Sequence, residues 1–270
     1  MNDTIGFVGG GRMAEALIQG IIKAGLAGPE QIWAADPDAG RQQLLTGQYG
    51  IRTCAQASEF VADCTILILA VKPQVMGPVL DSIRSVISSR HLVISIAAGI
   101  PLAFMEARLS ATQCRLVRVM PNTPALIQEG ASALSPGAGT TAEDMAKARA
   151  IFDAVGRSVV LAENYLDAVT GLSGSGPAYV FSFIEAMIDG GVKVGLSRVD
   201  AQLLVLQTVL GSVKLAIESN EHPAQLRAMV TSPGGTTIAG LHELARSGFS
   251  GIVMDAVEAA TRRSKELGQG

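Results

Sequence analysis

An α/β domain followed by an all-helical one is the architecture this sequence predicts, and three observations carry it. Strand-length apolar runs alternate with helix-period segments through the first part of the chain, which is the pattern of βαβ units on a parallel sheet. The first run, residues 4–8, leads straight into Gly9, Gly10 and Gly11, and then into Met13, Leu17, Ile18, Ile21 and Ile22 at helical spacing. From Asn164 onward no alternating stretch recurs, so the expected domains are residues 1–163 and 164–270.

The opening turn has a physical job at each position. The spacing Gly9-x-Gly11-x-x-Ala14 matches the dinucleotide-binding fingerprint of a Rossmann domain, in the required strand–turn–helix context. Gly9 permits the sharp turn. Gly11 leaves room for a pyrophosphate to approach the backbone, and Ala14 lets the helix lie close on the strand. The pyrophosphate would then sit on free N–H groups at the helix start.

Residues 31–35 form the second expected strand, which ends at Asp36-Pro37-Asp38. The fingerprint expects an acid in this region. Asp36 can accept hydrogen bonds from a ribose 2′-OH, which favours NADH, and would repel a 2′-phosphate. Arg41, close by, could pair with that phosphate. A turn or helix N-cap role before Pro37 is the competing reading of Asp36. Residues 51–53 and 65–71 are the third and fourth strands. The latter is apolar on both faces, as a central parallel strand should be, and it runs into Lys72-Pro73. Ligands of open α/β sheets lie beyond the carboxyl ends of the strands, which places Lys72 near one. A helix over 74–88 and strands over 91–96 and 115–120 follow. Pro121-Asn122-Thr123-Pro124 then makes a rigid turn, either aimed at the cleft or simply a stiff connector. Strands over 131–135 and 157–161 flank a helix over 142–155 that Thr141 can cap.

Beyond the boundary the spacing predicts helices over 165–170, 177–191, 198–219, 223–229, 236–247 and 250–267. Residues 178–187 and 201–215 are apolar over much of their circumference, so they must be buried on several sides. A helix-mediated dimer is the natural solution. Between two of these helices lies Thr231-Ser232-Pro233-Gly234-Gly235-Thr236-Thr237. Free N–H groups, a helix dipole and hydroxyls together suit a small carboxylate; the competing reading is a Gly-rich turn with Thr caps. Residues 172–178 form another small-residue turn before a helix, suited equally to close helix packing.

Composition narrows the function. The hydrophobic fraction is 48% against 17% charged, enough for a sizeable core. The net charge of -3 gives no basic footprint, so no nucleic-acid partner is expected. No uninterrupted apolar run reaches the ~18 residues of a membrane span, and no basic–apolar leader opens the sequence, so a cytoplasmic protein is expected. Cys54, Cys64 and Cys114 form no Cys-x-x-Cys pair and read as reduced thiols. The three histidines show no ligand spacing, and no metal is expected. Without a Ser–His–Asp set, paired catalytic carboxylates or an activated Cys, the reaction chemistry would come from a bound nucleotide.

Five motifs, in order and nearly end to end, resemble the pyrroline-5-carboxylate reductase family: residues 9–14, 71–73, 120–124, 168–179 and 230–238. The last two are long and specific. The resemblance implies an N-terminal Rossmann domain, a C-terminal helical domain forming an intertwined homodimer, and in some members a decamer of dimers. It implies NADPH-dependent reduction of L-1-pyrroline-5-carboxylate to L-proline, with Gly9, Gly11, Arg12, Met13, Ala14, Asp36, Val71, Lys72, Pro73 and Asn122 toward the cofactor. Ser232, Gly234, Gly235, Thr236 and Thr237 would hold the substrate, and the Thr237 hydroxyl would bond the ring nitrogen as the catalytic group. Two departures bear on cofactor choice: some members have Ser where this chain has Asp36, and Asn where it has Ala57. Use of NADH beside NADPH is therefore expected. A β-hydroxyacid dehydrogenase shares the opening fingerprint but uses a Lys on the first long helix after the boundary, and residues 179–190 contain none. A nucleotide-sensing protein without turnover is the remaining alternative.

Overall fold

The computed structural model describes residues 3–268. Eight strands form one sheet in the order β3-β2-β1-β4-β5-β6-β7-β8. They are β1 (Ile5–Val8), β2 (Ile32–Ala35), β3 (Arg52–Cys54), β4 (Ile66–Leu69), β5 (Leu92–Ser95), β6 (Arg115–Met120), β7 (Gly130–Pro136) and β8 (Gly156–Val160). Strands β1, β4 and β5 are buried at every residue, as strands covered on both faces must be. The chain passes from β1 to β2 on one side and later to β4 on the other. The carboxyl end of β1 is therefore a topological switch point, where open α/β sheets bind ligands.

Two apolar clusters cover the two faces. One gathers Phe7, Leu17, Ile21, Ile68, Ile151 and Phe152. The other gathers Phe60, Leu67, Leu80, Val93, Met105 and Leu109. The helices involved are α1 (Arg12–Lys23), α2 (Ala39–Tyr49), α3 (Met76–Ile83), α4 (Leu102–Leu109) and α5 (Ala142–Asp153). Thr141 caps α5, accepting from Asp144 N as expected.

The sheet differs from the all-parallel expectation at its last two strands, β8 running parallel to β7. β7 runs antiparallel to β6, because residues 121–129 are too few for the crossover a parallel neighbour needs. Two helices carry too weak a pattern to be expected. α2 buries just Leu45, and α4 is eight residues long with Leu102, Met105 and Leu109 buried. The expected helix over 74–88 is a short 3₁₀ turn at Pro73–Val75 followed by α3.

The chain divides into two compact units. One holds the residues up to Ser175 together with those from Glu258 onward; the other is Gly176–Val257. The helical period begins near residue 164, but α6 (Leu166–Val169) and the π-helical turn Thr170–Gly174 pack with the sheet, where Leu166 is fully buried. The end of α11 (Phe249–Gly268) belongs there too: buried Ser264 donates to Asp167 at 2.7 Å.

The helical unit comprises α7 (Gly176–Lys193), α8 (Arg198–Ser219), α9 (Pro223–Met229), α10 (Thr236–Arg246) and the first part of α11. Gly191 lets α7 and α8 close up, since a Cβ there would come 3.0 Å from the Ala201 Cβ. Phe183 and Phe249 pack with their rings tilted and their centroids 6.1 Å apart. Little else is enclosed. Phe181, Leu203 and Ile217 are each about two-thirds exposed. By length and hydropathy α8 alone among the described residues could cross a membrane, although Gln202, Gln207 and Lys214 interrupt its apolar sequence.

Candidate nucleotide and substrate sites

The glycine turn is pinned by the strands around it. Gly9 N donates to Ala35 O and Ala70 N donates to Val8 O, both at 2.8 Å, tying the end of β1 to the ends of β2 and β4. Gly9 adopts φ +101°, and a Cβ there would come 2.6 Å from Ala70 O, so conformation and space both require glycine. Gly11 is different. Its backbone is extended (φ -68°, ψ -177°), it caps α1 without any side-chain hydrogen bond, and a Cβ there would meet nothing within 4 Å. It faces open space at the start of a helix whose first N–H groups carry no side-chain cap. That cradle fits a pyrophosphate. Beneath it Ala14 is fully buried, Met13 packs against the core and Arg12 is exposed.

Asp36 does not cap α2; that residue is Asp38, which accepts from Gly40 N. Asp36 instead accepts from Gly10 N at 2.8 Å and from Asp38 N at 2.9 Å, linking the glycine turn to the loop after β2. Val71 lies against Gly9. Lys72 and Pro73 follow the end of β4, with the Lys72 side chain exposed at the head of the short turn. Asn122 is a brace. Its Nδ2 donates to Ser173 O at 3.0 Å, and its Oδ1 accepts from Ala131 N at 2.8 Å. It thereby fixes the π-helical turn against β7, an irregularity often found at functional sites.

One residue absent from the sequence reading matters to this rim. Glu163 accepts from Leu102 N at 2.7 Å and from Arg118 at 2.9 Å, so it caps α4 from a distance and fixes the loop before it. The available signal was Arg118, a charge inside an apolar strand. Beside that loop lies a cavity of about 740 Å³ lined by Pro73, Gly99, Ile100, Thr170, Ser175 and Leu267.

The helical unit carries the second candidate site. Gly234 adopts φ +66° and is followed by Gly235, the N-cap of α10, again extended and again without a side-chain cap. A Cβ on Gly235 would collide with the Ser232 hydroxyl. Thr236 and Thr237 occupy the first turn. The start of α10 carries no side-chain cap. An open, largely apolar hollow of about 1060 Å³ adjoins the segment, lined by Thr231, Gly234, Gly235, His242 and Phe249 among others.

No cluster of three or more His, Cys, Asp or Glu side chains suited to a metal occurs among the described residues. The thiols are unpaired, and burial, with Asp63 adding to it, pushes Cys64 up to about 12, where it is inert. His91 is buried and bonded to Ser88 and to Val61 O, a structural role.

Comparison with known proteins agrees along the whole chain. Residues 163–267 match the family model for pyrroline-5-carboxylate reductase dimerisation, and residues 4–99 match that for NADP oxidoreductase, coenzyme F420-dependent. The pyrroline-5-carboxylate reductase of Methanosarcina acetivorans is 49% identical over 269 residues, 99% of each chain. That of Arabidopsis thaliana is 43% identical, covering 98% of this chain and 95% of its own. Among solved structures, a Coxiella burnetii pyrroline-5-carboxylate reductase superposes with TM-score 0.94 at 33% identity over 99% of both chains. A Plasmodium falciparum pyrroline carboxylate reductase with NADP bound superposes with TM-score 0.88 at 36% identity, over 99% of this chain and 98% of that one. A Mycobacterium tuberculosis 3-hydroxyisobutyrate dehydrogenase, 16% identical with TM-score 0.54, shares the fold. With a glycine cradle at the switch point, a helical second unit and full-length relatives at this identity, the chain belongs to the pyrroline-5-carboxylate reductase family.

Proposed function

We propose that this chain reduces L-1-pyrroline-5-carboxylate to L-proline with NADPH or NADH. The observation that carries the reading is the uncapped, unobstructed start of α1 at Gly11, on a chain aligned throughout with family members. A reduced nicotinamide nucleotide supplies a hydride when bound. The first N–H groups of α1, with Arg12 beside them, hold its pyrophosphate. Asp36 lies toward the adenosine ribose, and Val71, Lys72, Pro73 and Asn122 shape the remaining wall.

Ser232, Gly234, Gly235 and the N–H groups of Thr236 and Thr237 hold the substrate carboxylate at the uncapped start of α10. The Thr237 hydroxyl orients the ring nitrogen. It can donate to an imine or accept from an ammonium as the nitrogen changes state. The helical unit pairs with a second copy through the exposed faces of α7 and α8, and such dimers stack into a decamer. The three unpaired cysteines of the chain, all in the sheet unit, suit the reducing cytoplasm. The net charge of -3 fits a small-molecule enzyme without nucleic-acid or membrane partners.

The test is direct. Protein mixed with NADPH and pyrroline-5-carboxylate should consume dihydronicotinamide absorbance and form proline. Turnover with β-hydroxyacids instead would favour the dehydrogenase alternative. Nucleotide binding without turnover on either would leave a sensor.

A further inference from the structure

Three side chains, Arg41, Glu15 and Tyr49, meet behind the glycine turn, and the nucleotide reading gives Glu15 and Tyr49 no role. The Arg41 guanidinium donates to the Gly10 carbonyl from Nε at 2.9 Å and from Nη2 at 2.6 Å. Nη2 also donates to Glu15 Oε2 at 2.8 Å. The other oxygen, Glu15 Oε1, accepts from the Tyr49 hydroxyl at 3.1 Å. The same Gly10 peptide has its N–H on Asp36. It is thus gripped from both ends, by a carboxylate on its donor and a guanidinium on its acceptor.

This is not a loose surface pair. The Arg41 and Glu15 side chains are 24% and 19% exposed, and both oxygens of the carboxylate are engaged. The arrangement decides what charge the rim beside Asp36 presents. In this fold a 2′-phosphate is accommodated by an Arg near the acid after the second strand, and a bare 2′-OH by the acid itself. Arg41 is that guanidinium by sequence, but Glu15 neutralises it and the Gly10 carbonyl fixes its direction. Counting Asp36, Glu15 and Arg41, the rim carries one net negative charge.

We propose that Glu15 is a specificity-determining residue: by holding Arg41 neutralised on the Gly10 carbonyl, it withholds a cation from the 2′-phosphate and tilts this chain from NADPH toward NADH. The inference rests on the nucleotide site proposed above and goes beyond it, because Glu15 is given no part in holding the nucleotide and acts through its pair with Arg41.

The test compares binding of adenosine 2′,5′-bisphosphate and adenosine 5′-monophosphate by calorimetry, and of NADPH and NADH by fluorescence titration. Glu15→Gln keeps a bond to Tyr49 and removes the charge. It should raise the 2′-phosphate preference about tenfold, as losing one nearby negative charge warrants. Arg41→Gln alone uncovers the Glu15 carboxylate and takes the rim from one net negative charge to two, so the 2′-phosphate preference should fall about tenfold. Arg41→Gln added to Glu15→Gln should erase the gain. Tyr49→Phe, which leaves the ion pair in place, should not move the preference. An unmoved preference in Glu15→Gln would overturn the proposal. So would an unmoved preference in Arg41→Gln alone, which also decides the matter should Glu15→Gln fail to fold. If the unaltered protein binds neither nucleotide, the nucleotide reading falls and this inference with it; if it binds both and Glu15→Gln shifts them equally, only the role of Glu15 falls.

Discussion

The two units each present a glycine at the uncapped start of a helix, and they differ in everything beneath it. Gly11 and Gly235 have nearly the same backbone, extended at φ -68° and -77°, and neither helix has a side-chain cap. Behind Gly11, helix α1 buries Ala14, Ala16, Leu17, Ile18, Gly20 and Ile21. Behind Gly235, helix α10 buries no residue. The first site is held rigid by its own chain. The second has the local chemistry and lacks the packing, as an element completed by a second copy would. An anion-binding helix start is cheap in sequence, but pre-organising it takes a core, and within this chain the first site has one where the second does not.

The largest expected effect breaks the first side of the comparison. Gly11→Val meets open space and an ordinary backbone, so the protein should fold and melt normally. The branched side chain then fills the phosphate cradle. Losing several charge-assisted hydrogen bonds, each about 1.5–3 kcal/mol, should weaken nucleotide binding by roughly a thousandfold or more. Unaltered affinity in a folded Gly11→Val protein would show that the nucleotide lies elsewhere.

The next breaks the second side. Leu210, half-exposed on α8, should be covered in the assembly. Leu210→Asp removes about 2 kcal/mol of burial and forces a charge to be desolvated, so the dimer should weaken more than about a hundredfold. Sedimentation should show monomers that still bind nucleotide on the sheet unit. A dimer persisting at low concentration would place the interface on another face.

A smaller effect tests the substrate segment. Thr237→Val keeps the shape and removes the hydroxyl. Because the start of α10 carries no side-chain cap, the melting temperature should hold while kcat/KM falls roughly tenfold to a hundredfold, the worth of one hydrogen bond to the reacting group. A lowered melting point with normal turnover would reverse the assignment.

What was legible follows the same division. The strands and the Gly9–Ala14 turn could be read because each residue there answers to a local rule: an apolar run, a positive φ at Gly9, a small residue at Ala14. Helices α2 and α4 could not, since their stability comes from tertiary contacts that leave a faint period. The turn of β7 against its neighbour depended on the length of a loop, not on the strand itself. Asp36 was legible as important, but its grip on Gly10 joins residues 26 apart in sequence. Glu163 and the Glu15–Arg41 pair escaped for the same reason, because a charged side chain shows its partner only once the chain has folded.

The smallest effect sharpens the contrast through acid. The sheet unit contains a well-enclosed ion pair: Asp144, 7% exposed, accepts from Arg115 at 3.1 Å and from the Thr141 hydroxyl at 2.7 Å. The pairs of the helical unit, Arg198–Asp189 and Arg246–Glu243, are each more than half exposed and contribute little. Burial alone would raise the Asp144 carboxyl, but the bonds from Thr141 and Arg115 outweigh it and hold the carboxyl below its ordinary value. A folded-state pKa below the unfolded one adds stability that is present in full above the unfolded carboxylate range. That stability is lost as pH falls through the folded value. Asp144→Asn should therefore cost about 1–2 kcal/mol near neutrality, and the gap from the unaltered protein should close as the pH drops below about 4. The same exchange at Glu243, in the helical unit, should move stability by less than about 0.5 kcal/mol at any pH. Denaturant melts of both variants between neutral and acid pH measure this. A gap for Asp144→Asn that stays constant down to the lowest pH would mean that the carboxyl contributes shape rather than charge, and that the two units do not differ in the way their ion pairs are held.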